Sequence, residues 1–263
     1  MKIGFIGAGN MGSAIIEGVL KSKIVSPPDI TVSDANETTV QNLRNSYLVV
    51  MGDNKTAAQS DVLFLCVKPQ VIYSVIEEIK DAVTENTVIV SIAAGQSISK
   101  IENAFGKKIK LIRVMPNTPA LVGEGMAALS PNANATGEDL KVVGDIFGSL
   151  GKSEIVPEHL MDAVTAVSGS SPAYVFMFIE AMADAAVQGG MPRSQAYTFA
   201  AQAVLGSAKM VLETGKHPAD LKDMVCSPAG TTIDAVAELE KNGFRNAVIE
   251  AMKACIKKSK ELG

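Results

Sequence analysis

The strand-like run Lys2-Ile3-Gly4-Phe5-Ile6 leads directly into Gly7-Ala8-Gly9-Asn10-Met11-Gly12, and residues 13–20 follow at helical spacing. Glycine at the first two motif positions allows a tight turn and lets backbone amides approach a pyrophosphate, which the start of the next helix attracts through its free N–H groups and dipole. The alternative is a glycine turn in some other α/β protein. Because the motif lies between a strand and a helix, we favour dinucleotide binding.

Short β-branched runs alternate with helical patterns through the first 156 residues, which predicts a layered α/β domain. The candidate strands are 2–6, 30–33, 48–51, 62–67, 87–92 and 109–114, with two further runs near 125–129 and 153–156 that extend the edge. Continuously apolar runs such as 62–67 indicate burial on both faces, which is typical of parallel sheets covered by helices. The predicted fold is a Rossmann-type doubly wound parallel sheet.

The composition changes after Pro157, where strand runs give way to alanine, methionine and helical periodicity. We place the domain boundary at Asp162, which predicts domains at 1–161 and 162–263. The stretch 172–188 is apolar almost all round, and such a helix must be buried by more than a small domain. Burial against a second copy of the chain is therefore expected, with a wholly intrachain core as the alternative.

Charge and composition exclude several classes of function. The 24 Lys and Arg against 28 Asp and Glu give a net charge of −4, and the chain has no Trp, so a nucleic-acid partner is not expected. The apolar runs are much shorter than the roughly 20 residues of a bilayer span, and nothing resembles a signal peptide. Three cysteines and two histidines lack the spacing of a metal site. We expect a cytoplasmic protein without a metal.

Four segments lie at the carboxyl ends of predicted strands, where open α/β sheets bind ligands. Asp34 lies 22 residues after Gly12, where a carboxylate accepts hydrogen bonds from ribose hydroxyls and favours NAD; the alternative is a helix cap. Lys68 and Gly95 lie in the next two loops, at 67–70 and 92–95, although each is equally well an ordinary surface or turn residue. Asn117 lies between two prolines, which stiffen the loop that aims its amide at nicotinamide or substrate.

The segment Asp223-Met224-Val225-Cys226-Ser227-Pro228-Ala229-Gly230-Thr231-Thr232 crowds hydroxyls at a predicted helix start. Its hydroxyls and the amides beside Gly230 form an uncharged pocket of the kind that binds a carboxylate. The alternative is helix capping, for which Ser and Thr are favoured with or without a ligand. A cap needs one hydroxyl, whereas this segment offers three.

The chain resembles the pyrroline-5-carboxylate reductase family over essentially its whole length. The motifs that carry the resemblance are Gly-Ala-Gly-Asn-Met-Gly at 7–12, Val-Lys-Pro-Gln at 67–70, Ser-Ile-Ala-Ala-Gly at 91–95, Arg-Val-Met-Pro-Asn-Thr-Pro-Ala at 113–120, Ser-Gly-Ser-Ser-Pro-Ala-Tyr at 168–174 and Ser-Pro-Ala-Gly-Thr-Thr at 227–232. The last three are specific to the family, whereas many proteins share the glycine motif.

The resemblance implies a helical C-terminal dimerisation domain and reduction of 1-pyrroline-5-carboxylate to L-proline with NADPH or NADH. It also implies a homodimer and, in many members, a decamer built as a pentamer of dimers. The implied cofactor contacts are Gly7, Ala8, Gly9, Asn10, Met11, Gly12, Ser33, Asn54, Val67, Lys68, Pro69, Ala93, Ala94 and Gly95, to which the position of Asp34 after the second strand adds that residue. The implied substrate contacts are Ser227, Ala229, Gly230, Thr231 and Thr232, with the Thr232 hydroxyl approaching the ring nitrogen as the catalytic group. The loop position of Asn117 adds it to the expected substrate contacts.

Four residues depart from the common family pattern. Ser171 and Ala229 replace frequent glycines, and Asp34-Ala35 replaces an Asn-Arg pair seen in some NADPH-preferring members.

Two rival hypotheses remain. A β-hydroxyacid dehydrogenase would need a lysine early in its helical domain, and the sequence has none between Lys152 and Lys209. The other is a non-catalytic nucleotide sensor, which would bind cofactor without turnover.

Overall fold

The computed structural model describes residues 1–262 and separates the chain into two compact units. The first contains residues 1–170 and the end of the chain from Cys255, and the second contains Ser171–Ala254. The composition of the sequence changes near Asp162, whereas the grouping by contacts changes at Ser171 and again at Cys255. The last helix is therefore divided between the two units.

The first unit is built on one eight-stranded sheet. Its strands are β1 Ile3–Ile6, β2 Ile30–Ser33, β3 Val50–Met51, β4 Val62–Leu65, β5 Val88–Ser91, β6 Lys110–Met115, β7 Gly125–Pro131 and β8 Gly151–Ile155. The order is β3-β2-β1-β4-β5-β6-β7-β8, so the winding reverses beside β1. All neighbouring strands run parallel except β6 and β7, which are antiparallel. The predicted fold class is confirmed, and β7 and β8 do extend the edge.

Helices cover both faces of this sheet. They are α1 Asn10–Ser22, α2 Glu37–Tyr47, α3 Asn54–Ala58, α4 Ile72–Ile79, α5 Ile98–Phe105, α6 Gly137–Gly148 and α7 Met161–Val164. Strand side chains alternate between two apolar clusters, because successive residues of a strand point to opposite faces. Phe64 packs with α1, α2 and α6, whereas its neighbours Leu63 and Leu65 pack with α4 and α5. Phe5 stacks on Phe64 with ring centroids 4.7 Å apart.

The second unit is entirely helical and has little core of its own. It contains α8 Ser171–Gln188, α9 Arg193–Thr214, α10 Pro218–Val225 and α11 Thr231–Lys241, together with the first part of α12, Phe244–Leu262. Large apolar side chains of α8 are exposed, with Phe176 at 63% and Met177 at 69%. An intrachain core therefore does not bury this helix, which leaves burial by another chain as the physical expectation.

A search of residues 1–262 finds no helix with both the length and the hydropathy that a bilayer crossing requires.

Gly4 in the central strand has no space for a side chain, because a Cβ there would lie 2.1 Å from the carbonyl oxygen of Ala57. We expect Gly4→Ala to lower the free energy of unfolding by more than about 2 kcal/mol, since backbone must move to admit the methyl group. Gly144→Ala is the matched control, because a Cβ there would meet nothing closer than 3.9 Å and the site lies in α6. Denaturant unfolding should show the control equal to or more stable than the unchanged protein.

Candidate functional site

The glycine-rich loop lies at the carboxyl end of β1 and is defined by close backbone packing. Gly7 has φ +99°, and a Cβ on it would lie 2.7 Å from the carbonyl of Cys66. A Cβ on Gly12 would lie 2.4 Å from the carbonyl oxygen of Gly7. The Gly7 N–H donates to the carbonyl of Ser33 at 2.8 Å. The loop is thus compressed between β2 and β4, and only glycine fits at these two positions.

The same loop is open where a phosphate would approach. A Cβ on Gly9 would meet no atom within 4 Å, and Gly9 precedes α1 without any side-chain hydrogen bond capping the helix. The helix begins at Asn10, inside the motif, so Asn10, Met11 and Gly12 form its first turn. Their N–H groups have no carbonyl four residues earlier in the helix. The geometry fits the pyrophosphate of a dinucleotide, which such helix starts attract.

Cys66 lies beneath this loop and is part of its packing. Its thiol does not act as a nucleophile at neutral pH, because burial raises the pKa well above its usual range. The side chain is packed against the apolar cluster that contains Phe64 and α1. This agrees with the packing interpretation that the sequence suggested for Cys66.

Asp34, at the end of β2, connects the second strand to the glycine-rich loop. Its Oδ2 accepts a hydrogen bond from the Ala8 N–H at 2.5 Å, and its Oδ1 accepts one from the Asn36 N–H at 2.8 Å. The cap of α2 is Asn36, whose side chain accepts from the N–H of Thr38. Asp34 therefore does not cap this helix, and its carboxylate is fixed beside the loop that precedes α1.

A cavity of about 540 Å³ lies beyond the ends of β2 and β3. Among the predicted cofactor contacts, Ser33, Asp34 and Asn54 line it. Ser33 Oγ donates to Asn54 Oδ1 at 2.7 Å, and Asn54 Nδ2 donates to Glu78 Oε2 at 2.7 Å. Sequence reasoning missed the other polar groups of the lining, which are Glu37, Asp53 and Glu78. The position of Asp53, two residues after the end of β3, was a usable signal, whereas nothing in the sequence placed Glu78 on α4 at this cavity.

The loops after β4 and β5 lie at the carboxyl ends of the next two parallel strands. Val67, Lys68 and Pro69 lead into a 3₁₀ turn at Pro69–Val71, and Lys68 is exposed. Ala93 is buried and Ala94 exposed, whereas Gly95 has φ +73° and lies against the end of α12. The Tyr73 hydroxyl donates to Gln96 Oε1 at 2.5 Å. This bond, which the sequence did not indicate, ties the two loops together.

Asn117 is buried and held at both ends of its side chain. Its Nδ2 donates to the carbonyl of Ser168 at 3.1 Å, and its Oδ1 accepts from the N–H of Met126 at 2.8 Å. Ser168 belongs to a π-helical turn at Thr165–Gly169, a rare geometry that often marks functional sites. These bonds give Asn117 a structural role in supporting the loop after β6. The predicted contact between Asn117 and substrate stays a prediction.

The hydroxyl-rich segment of the second unit forms a tight turn before α11. Gly230 N–H donates to the Ser227 carbonyl at 3.1 Å, with Pro228 second and Ala229 third in the turn. The positive φ of Ala229, +54°, is what a type II turn requires at that position. Gly230 is the residue before α11 and no side chain caps the helix. A Cβ on Gly230 would lie 2.3 Å from Ser227 Oγ.

This geometry removes the capping alternative for the hydroxyls of Ser227, Thr231 and Thr232. The amide of Gly230 itself is used within the turn, where it donates to the Ser227 carbonyl. The first-turn amides of α11, at Thr231 and Thr232, have no acceptor within the helix and face outward from its start. Ser227 and Thr231 are exposed and Thr232 is half-buried. Residues 227–232 therefore offer amides and hydroxyls to an anion, and the acidic side chain in the first turn of α11 is that of Asp234.

Comparison with known proteins gives the same assignment over the whole chain. The family model described as pyrroline-5-carboxylate reductase dimerisation matches residues 158–262, and the model described as NADP oxidoreductase, coenzyme F420-dependent, matches residues 2–95. The pyrroline-5-carboxylate reductase of Escherichia coli strain K12 is 53% identical over 99% of this chain and 98% of its own length. This chain belongs to the pyrroline-5-carboxylate reductase family. The resemblance stated from the motifs is thereby confirmed.

Other members of the pyrroline-5-carboxylate reductase family agree in sequence and in structure. The Arabidopsis thaliana reductase is 43% identical over 99% of this chain and 95% of its own. The Coxiella burnetii reductase superposes with a TM-score of 0.93 at 34% identity, covering 100% of this chain and 98% of that chain. The Plasmodium falciparum reductase, solved with NADP bound, gives 0.89 at 36% identity with the same coverage. The chain is therefore assigned to the reductase family and not to the β-hydroxyacid dehydrogenases or to a family of nucleotide sensors.

Ala229 is a strained position, because a residue with a Cβ costs about 1–2 kcal/mol in the left-handed region. We expect Ala229→Gly to raise the free energy of unfolding by about 0.5–1 kcal/mol. This value is the relief of backbone strain minus the cost of the extra entropy that glycine gives the unfolded chain. Ala235→Gly, in the interior of α11, is the control and should lower it by about 1 kcal/mol. Equal losses in both variants, measured by denaturant unfolding at one protein concentration, would contradict the strain argument.

Proposed function

We propose that this chain reduces the C=N bond of 1-pyrroline-5-carboxylate to give L-proline, the last step of proline biosynthesis. The observation that carries the proposal is 53% identity to a pyrroline-5-carboxylate reductase over 99% of the chain, with the glycine-rich loop in a geometry that admits a dinucleotide. The reaction places the protein among the NAD(P)-dependent oxidoreductases that act on a carbon–nitrogen bond.

The first unit holds the cofactor in this proposal. When bound, NADPH or NADH supplies the hydride. The first-turn amides of α1 receive the pyrophosphate, and Asp34, with Ser33 and Asn54, faces the adenosine ribose. The loops after β4 and β5 support the remainder of the dinucleotide, through the residues Val67, Lys68, Pro69, Ala93, Ala94 and Gly95.

The second unit holds the substrate carboxylate. Ser227 offers its hydroxyl, and the amides of Thr231 and Thr232 offer N–H groups at the positive end of the α11 dipole. Ala229 and Gly230 form the turn that connects Ser227 to the start of α11. The absence of arginine and lysine from residues 227–232 suits this substrate, because such a cation beside a cationic imine would disfavour its protonated form.

Thr232 orients the ring nitrogen through its hydroxyl. The imine carbon is most electrophilic when the nitrogen is protonated or hydrogen-bonded. A neutral hydroxyl is a poor proton source, so solvent or the already protonated imine supplies the proton. The protein contributes positioning, since reacting atoms must be held roughly 3–3.5 Å apart for efficient transfer.

A homodimer is the assembly that the exposed apolar helices favour, and the second unit carries the match to the dimerisation model. We extend the proposal to a decamer, a pentamer of dimers, and to a cytoplasmic location. Light scattering at several concentrations would measure the assembly, and a monomer that persists at micromolar concentration would contradict the dimer.

The direct test of function is oxidation of NADH or NADPH on addition of pyrroline-5-carboxylate. Proline must appear in proportion to the cofactor consumed. Binding of either cofactor without turnover would identify a nucleotide sensor instead and would overturn the proposed activity.

Removing the Thr232 hydroxyl tests its role in catalysis. We expect Thr232→Ala to lower kcat/KM for the imine by about tenfold to a hundredfold, since one oriented hydrogen bond is lost, while the Kd for cofactor stays unchanged. Thr232→Ser should recover most of the activity. The control is Ser207→Ala on α9, which removes a hydroxyl that bonds the Ala203 carbonyl and should leave kcat/KM unchanged. Equal loss of cofactor affinity in Thr232→Ala would contradict the assignment.

A further inference from the structure

The cavity beyond β2 and β3 has an unusual excess of negative charge for a cofactor pocket. Four carboxylates line it, from Asp34, Glu37, Asp53 and Glu78, and none of its lining residues is a lysine or arginine. Hydrogen bonds from the Thr56 hydroxyl and amide lower the pKa of Asp53, so this carboxylate stays ionised at neutral pH. Because the pocket lies at the end of β2, the group it would receive is the adenosine ribose of the cofactor.

Asp34 is oriented to accept from hydroxyl groups. Its two oxygens already accept from the amides of Ala8 and Asn36, which fix the plane of the carboxylate. Each oxygen keeps a further lone pair, so the side chain can accept from both hydroxyls of a ribose. It has nothing to donate to a phosphate, and its charge repels one.

The neutral polar groups of the pocket already donate hydrogen bonds within it. The Ser33 hydroxyl donates to Asn54, and the Asn54 amide donates to Glu78. A 2′-phosphate is an acceptor only, so it would compete with these internal bonds for the same protons.

Two cations on the neighbouring helices lie near this cavity without being among its lining residues, although Arg44 contacts Met51, which is one of them. Arg44 lies seven residues after Glu37 on α2, which is about 10 Å along the helix, and its Nη1 lies 3.7 Å from the sulfur of Met51. Lys55 follows Asn54 on α3 and is exposed. Neither side chain lines the cavity.

We propose that this reductase selects NADH over NADPH, with Asp34 as the specificity-determining residue and Glu37, Asp53 and Glu78 adding to the repulsion of a 2′-phosphate. The inference rests on the proposed function only in taking the cavity as the adenosine end of the cofactor site. It is a property of the cofactor site alone and does not depend on which imine is reduced.

The test is equilibrium binding of NADH and NADPH, measured by calorimetry without substrate. We expect the Kd for NADPH to exceed that for NADH by at least about tenfold, and the ratio to fall as salt screens the carboxylates. Asp34→Asn should reduce the ratio to less than about threefold, and adding Ala35→Arg should reverse the preference, since a guanidinium pairs with phosphate. A ratio below about threefold in the unchanged protein overturns the proposal.

Further variants keep the test decisive. Glu37→Gln changes a second carboxylate at an exposed site, so it reports on charge even if Asp34→Asn does not fold, and it should lower the ratio by about twofold. Glu85→Gln is the control and should leave the ratio unchanged. Glu85 precedes β5, so it lies at the amino ends of the parallel strands, whereas the cavity lies at their carboxyl ends. If NADPH binds well and Arg44→Gln abolishes that binding, Arg44 is a phosphate ligand and the proposal is wrong.

Turnover separates this inference from the proposed function. Selective NADH binding without imine reduction would contradict the activity and leave the selectivity intact. Imine reduction with equal kcat/KM for NADPH and NADH would contradict the selectivity and leave the activity intact.

Discussion

The structure depends on the backbone packing of Gly7 against the ends of β2 and β4. Its N–H bonds the Ser33 carbonyl, its Cα faces the Cys66 carbonyl, and its own carbonyl lies against Gly12. Three strands and the start of α1 therefore meet with no side chain between them. This contact lets the first-turn amides of α1 face outward at the point where the order of strands reverses, which is where open α/β sheets bind ligands. The rest of the candidate cofactor site is arranged around it.

The Asp34 carboxylate that supports this loop is also the group that we propose to recognise the cofactor. The carboxylate accepts from Ala8, inside the glycine-rich loop, and so it holds the loop against β2. The same charge lies in the cavity where the adenosine ribose is expected. A residue that supports a loop cannot be exchanged freely to suit a different ligand, because its loss would release an amide from its acceptor. Cofactor preference is therefore constrained by the local fold as well as by contact with the ligand.

Sequence periodicity predicted most of the first unit because its signals are local. The run 62–67 reads as a buried strand, and alternate side chains of β4 do enter two different apolar clusters. The antiparallel direction of β7 has no such local signal, since a strand's own residues do not record the direction of its neighbour. The polar hydrogen bonds also have no local signal, because their partners are far apart in the sequence. The separations are 26 residues for Ala8 and Asp34, 24 for Asn54 and Glu78, and 51 for Asn117 and Ser168. Residue types indicated which side chains were candidates, and only the tertiary fold paired them.

The helical unit, which contains the proposed substrate-binding residues, has too small a core to be stable without a second chain. Of its residues, 171–254, the apolar side chains that are buried within the described chain are those of Ala183, Ala196 and Ala200. Three alanines provide far too little buried area to offset the conformational entropy of ordering several helices. The exposed apolar side chains of α8 must therefore gain their stabilisation from another chain, as the match to a dimerisation model implies. Because Ser227 and Thr232 lie in this same unit, the proposed carboxylate contacts belong to a part of the chain that association stabilises.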